Sequence, residues 1–239
     1  ALVAMAFIVI PAGNFMMADK FSRDLEQVRK MLGNPFSFPD VWLSMASLNS
    51  YISVLPGLLL IILVTNEYTY RTNRQNVIDG WERRQFVYAK LFWLCALSVS
   101  TLLIATLSAA LAGMIYGTAS FSLEGYRYML YYFLQLNVML TIALVIGVLV
   151  KRAGLGIVLF MGYNMMLDQT LSFLLKRNVG RVGGLLPLQS GDELLPFPLL
   201  GKMVAAADQY DTYVYITAML VYIAAGIFLV FRKILRSDL

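Results

Sequence analysis

Residues 91–116 read LFWLCALSVSTLLIATLSAALAGMIY, 26 positions without one Asp, Glu, Lys or Arg. As an α-helix this run would extend about 39 Å, more than the ~30 Å hydrocarbon core of a bilayer. A helix that is apolar on every side must be sunk in a large core or in lipid. Four further stretches behave alike, at 42–64, 126–150, 153–175 and 213–231. A chain of 239 residues with 59% hydrophobic and only 14% charged residues cannot hide so much apolar surface in one soluble core. Mean hydropathy is +0.70. The expected fold is an all-α bundle of transmembrane helices, a single domain over residues 1–239.

The first ten residues, ALVAMAFIVI, are also apolar but stop at Pro11-Ala12-Gly13-Asn14. They are expected to be the latter part of a sixth span, truncated at its N-terminus in this chain. Pro56 and Gly57 interrupt the 42–64 stretch and predict a kink there.

Orientation is read from basic residues, which collect in cytoplasmic loops. One set of loops holds Arg71, Arg74, Arg83, Arg84, Lys90, Lys151, Arg152, Arg232, Lys233 and Arg236, opposed by Glu67, Asp79, Glu82 and Asp238. The opposite set carries nine basic and nine acidic residues over about twice the length. The 66–90 loop, the Lys151-Arg152 turn and both termini are therefore expected in the cytoplasm. On the outer side, Phe21, Leu25, Val28 and Leu32 share one helical face, predicting a short amphipathic helix over 19–32. The 176–210 region mixes Gly180, Gly183, Gly184, Pro187, Pro196 and Pro198 with many Leu residues, and reads as re-entrant or interfacial pieces.

Several chemistries drop out. The sequence has no His, which excludes His-ligated haem, His-based zinc sites and His-dependent triads. Cys95 stands alone in an apolar run and is expected to be a packed core residue. No G-x-x-x-x-G-K-[ST] loop occurs, and Gly180-Arg181-Val182-Gly183-Gly184 lacks the Lys. The net charge of +5 does not point to nucleic acid, because the basic residues lie in short segments between apolar runs. Asp192 and Asp211 sit in outer loops, unlike the paired acids of an intramembrane protease. No catalytic residue, metal site or cofactor of the chain's own is expected.

Residues 66–90, NEYTYRTNRQNVIDGWERRQFVYAK, are the most informative polar stretch. Asn66 can cap a helix with Glu67 at its positive end, Asp79-Gly80 is a stop signal, and a second helix begins near Trp81. The tip would carry Arg71, Arg74, Val77, Ile78 and Trp81, a cationic rim around an apolar centre suited to a groove on a soluble partner. A charged loop that serves only orientation fits the same residues.

The order Glu67-x4-Thr72, Asn76-x-Ile78-x-Gly80, Arg83 or Arg84, and Lys90 at the foot of a span resembles the permeases of ABC-2 type transporters, especially bacterial half-size permeases of about six spans. The C-terminal Phe231-Arg232-Lys233 through Asp238-Leu239 is similar to them as well. The resemblance implies that 66–90 is the coupling helix, seated in a cleft of a separate ATPase subunit that binds ATP and Mg. Glu67, Thr72, Gly80, Arg83 and Lys90 match the recurring positions, whereas Arg71 stands where the family often has Gly. It further implies a second permease subunit, a homo- or heterodimer, and an inner-membrane location among lipid.

Inside the spans, Asp168 is the one deep acid, with Asn164 and Gln169 beside it. Intramembrane acids mark a pathway or a paired site; a wetted position, or a pair with Lys176 or Arg177, is the structural alternative. Ala105, Ala109 and Gly113 recur every four residues, permitting close helix approach within one subunit or between two. Met161, Met165 and Met166 with Tyr163 read as core packing or as a pliable hydrophobic path. Three functions follow as expectations: an ABC export permease, a non-transporting membrane component of a secretion or motility complex, and an ion-coupled transporter using Asp168.

Overall fold

A computed structural model describes residues 2–24, 34–70, 80, 82–196 and 209–236, and of residues 2–6 and 21–24 the backbone only. The described residues form an all-α bundle without strands. In chain order the helices are α1 (Leu2–Asp24), α2 (Val41–Ile52), α3 (Val54–Thr69), α4 (Arg83–Tyr116), α5 (Arg127–Val150), α6 (Ala153–Gly162), α7 (Asp168–Val179), the one-turn α8 (Gln189–Asp192) and α9 (Thr212–Arg236). A π-helical turn, Tyr163–Leu167, joins α6 to α7. Four helical stretches among the described residues are long and apolar enough to cross a membrane: Val41–Thr69, Arg83–Tyr116, Arg127–Val150 and Thr212–Arg236.

α5 is the central post. Tyr132, Leu136, Leu140 and Leu144 are fully buried on one face, and Val138 and Ala143 are buried on another. Packing on several sides explains why 126–150 reads as apolar without an amphipathic stripe. By contrast Leu103, Leu107, Leu111 and Ile115 of α4, and Val221 and Phe228 of α9, are exposed. Apolar surface on this scale belongs against lipid.

The expected kink is present, one turn before Pro56. The helix breaks at Ser53, whose hydroxyl donates to the Asn49 carbonyl at 2.8 Å and to the Tyr132 hydroxyl at 3.3 Å. Pro56 then falls in the first turn of α3, where its missing N–H costs least. Gly57 has a different task. A Cβ there would lie 2.5 Å from the ring of Phe160, which is fully buried on α6. The bare backbone is the seat of that ring.

Four readings are corrected. The helix does not stop at Pro11: α1 runs through it to Asp24. Ile10, Asn14 and Ala18, spaced by four, are buried, and the Asn14 amide donates to Ser108 Oγ of α4 at 2.7 Å. This packing offsets the roughly 3 kcal/mol that an interior Pro costs. Residues 19–24 accordingly continue α1 instead of opening a separate amphipathic helix; 25–33 lie outside the described residues. Cys95 is exposed, on the lipid side of α4. Met165 and Met166 are exposed on the π-helical turn and do not pack the core of this chain, whereas Tyr163 beside them does.

Gly57→Leu should destabilise the protein by about 1–3 kcal/mol through overpacking against Phe160. Thermal unfolding in detergent should show a lowered midpoint, and Phe160→Ala in the same chain should recover part of the loss because the two sites are in contact.

Candidate functional site

The ends of α3, α4, α5 and α9 meet at one face of the bundle, the one that gathers the basic loops. α3 carries the chain out of the 42–64 span without interruption to Thr69, so Asn66 lies within a helix and does not start one; its carbonyl accepts the Tyr70 N–H. α4 begins with a reciprocal cap. The Glu82 side chain accepts the Gln85 N–H, and Gln85 Oε1 accepts the Glu82 N–H at 3.0 Å. The start expected near Trp81 is thus found at Arg83, although Glu stands at the cap in place of the usual Ser, Thr, Asp or Asn. Gly80 has φ of +88°, the left-handed turn expected of Asp79-Gly80. Residues 71–79 and 81, with Arg71, Thr72, Arg74, Val77, Ile78 and Trp81, lie outside the described residues.

Below that loop, Lys90 of α4 donates from Nζ to Glu67 Oε2 of α3. The Lys90 side chain is only 2% exposed and that of Glu67 29%. Lys90 Nζ also stands 5.7 Å from the centre of the Tyr68 ring, and Lys151 Nζ, arriving from the end of α5, stands 5.2 Å from it. Tyr68 thus takes two cations on its π-system. Arg83 Nη1 donates to the Leu235 carbonyl at 3.0 Å, and Tyr88 meets Phe231 edge-on at 6.0 Å, which ties α4 to the end of α9. Sequence reading placed Glu67, Arg83 and Lys90 in one segment and Lys151 on the same face; it missed that Glu67 and Lys90 pair, and it missed Tyr68.

At the opposite face a second polar cluster ties the bundle to the outer segment. Asp168 is 1% exposed. It accepts hydrogen bonds from the Tyr163 hydroxyl at 3.0 Å, from Gln189 Nε2 at 3.3 Å, and from the backbone N–H groups of Leu188 and Gln189. Asn164 instead points its amide at the Met139 sulfur, 3.8 Å away, and Gln169 is exposed. Lys176 pairs with Glu193 at 2.5 Å, leaving Asp168 to its neutral donors. Nearby, Gln135 Nε2 of α5 donates to Asp192 Oδ1 at 2.7 Å, and Gly191 packs directly on the Gln135 side chain. Burial pushes the Asp192 carboxyl up to about 6; the Gln135 bond opposes that rise, and the charges of Asp168 and Glu193 reinforce it.

The small-residue face of α4 is occupied inside the chain. Ala105 and Ala109 are fully buried, and Phe38 covers Gly113 so closely that a Cβ would lie 2.7 Å from its ring. Among the described residues no three His, Cys, Asp or Glu side chains converge as metal ligands.

The family model described as ABC-2 family transporter protein matches residues 2–166. The chain belongs to the ABC-2 transporter family. The match takes in α1 to α6, the whole 66–90 segment and the Glu67–Lys90 pair, and it ends two residues before Asp168. No curated protein and no solved structure matches the chain. As an ABC-2 family member it is a multi-pass membrane protein and the membrane component of a transporter. In such a component, clamped helix ends at the base of a loop hold that loop in a fixed relation to the spans.

Two expectations follow. Glu67→Gln leaves Lys90 buried without its counter-charge and should cost about 3–5 kcal/mol, whereas Lys90→Met strands a Glu67 that water still reaches and should cost less; the double variant should lie above Glu67→Gln in a thermal unfolding series. For Asp192, the folded carboxyl holds its proton up to about pH 6 and the unfolded one only to about 4. The folded state therefore binds more protons between those values, and stability falls as pH rises from 4 to 6. Unfolding midpoints measured across that window should decline less steeply in Asp192→Asn.

Proposed function

We propose that this chain is the permease subunit of an ATP-driven exporter in a bacterial cytoplasmic membrane, with residues 66–90 as the coupling segment gripped by a separate ATPase subunit. The observation that carries the reading is the brace beneath the loop. A force on residues 70–82 enters two helices that the buried Glu67–Lys90 pair fixes to each other, and Tyr68, Lys151 and the Arg83–Leu235 bond pass it to α5 and α9. A loop serving only to set topology needs no such brace. The excess of basic residues on this face supports a cytoplasmic location for it and for the C-terminal end.

The partner supplies ATP, Mg and the hydrolytic groups, since the chain carries no phosphate-binding loop. Arg71, Arg74, Val77, Ile78 and Trp81 make the contact, with Glu67, Thr72, Gly80 and Arg83 shaping it. Closure of the ATPase would press on this knob and rock the helices between two arrangements. A second permease subunit completes the pathway. Asp168, whose carboxylate is held by Tyr163, Gln189 and the outer backbone, serves in this reading as a tie for the outer segment and not as an ion-coupling acid.

Arg71→Glu with Arg74→Glu should abolish co-purification of the ATPase subunit from mild detergent and remove ATPase activity from the purified fraction, while the permease keeps its helical circular dichroism. A complex that survives the double reversal overturns docking at this knob.

A further inference from the structure

The last two turns of α9 carry Arg232, Lys233 and Arg236, all exposed, and none of the three has an ion pair or hydrogen bond among the described residues. Two grooves flank them. One, of about 350 Å3, runs between α5 and α9 over Val145, Leu149 and Leu229, with Arg232, Lys233 and Arg236 at its mouth. The other, of about 470 Å3, lies on the far side of α9 over Phe228, Phe231 and Leu235, again with Arg232 and Arg236. At about 100° per residue, Arg232 and Arg236 stand on the ridge between the two, one turn apart.

Orientation alone accounts for basic residues at a helix end, and so does the negative end of the helix dipole. Neither accounts for a pair of guanidinium groups flanked by two open grooves with apolar floors. We propose that Arg232 and Arg236 bind the phosphate of an anionic diacyl phospholipid of the leaflet on this face, with one acyl chain in each groove. Guanidinium groups suit phosphate oxygens by their forked donors, and basic clusters at the ends of spans recognise anionic headgroups. This site is independent of the ATPase reading, since it lies on the lipid-facing side of the last helix and not on the loop.

The test is native mass spectrometry of the full chain in non-ionic detergent, titrated with phosphatidylglycerol or phosphatidylcholine. Phosphatidylglycerol should bind preferentially, and R232Q/R236Q should weaken it about 25-fold, roughly a factor of five for each basic residue at an anionic surface. R232K/R236K should keep most of the affinity, and L229W, which fills one groove without changing charge, should lower it several-fold. Equal binding of the two lipids, or phosphatidylglycerol binding unchanged in both R232Q/R236Q and L229W, overturns the proposal. Displacement of the lipid by millimolar inorganic phosphate would reduce the site to a phosphate site and overturn it too. So would loss of a co-purifying protein in R232Q/R236Q with lipid binding intact.

Discussion

Everything on the basic face depends on one buried charge pair. Lys90 is taken almost wholly out of water, which is tolerable only because Glu67 reaches it from the neighbouring helix and the Tyr68 ring faces it. The pair joins positions 23 apart in the sequence, at the end of α3 and the start of α4. A charge so held is a weak source of net stability, but it is directional: it fixes which turn of α3 lies beside which turn of α4. That register fixes how the end of α3 and the start of α4 meet beneath the segment that joins them.

Four of the spans were legible because membrane insertion asks only for length and composition, and residues 91–116 or 126–150 satisfy both with no knowledge of their neighbours. Side-by-side placement was not legible. Pro11 reads as a stop by every local rule, yet α1 continues, because Ile10, Asn14 and Ala18 find the small-residue face of α4 and one side-chain hydrogen bond there. That same face, Ala105-Ala109-Gly113, was visible as a close-approach surface; what approaches it, α1 and the Phe38 ring, was not. Gly57 read as part of a kink, and its main role is contact with a side chain more than a hundred residues away.

The candidate site divides in the same manner. Glu67, Gly80, Arg83 and Lys90 were found as a linear pattern; the structure sets Glu67 near the end of α3 and Arg83 and Lys90 on α4. Lys151 was legible only as an orientation signal, and Tyr68 not at all, since a Tyr at a span end is ordinary. Asp168 was conspicuous by its depth, but its partners, Gln189 and the backbone of Leu188 and Gln189, come from an outer segment whose Gly and Pro content conceals any register.

α4 has 34 residues and is about 51 Å long as one uninterrupted rod. The neck pair grips it near one end, and α1 rests on it at Ser108, some 27 Å further along. A rod held in this way behaves as a beam: with its mid-section as pivot, a small sideways displacement of the first two turns swings the far end in the opposite sense. A displacement at one end of α4 can then reach the other without a bend within the helix, so long as its neighbours let it tilt.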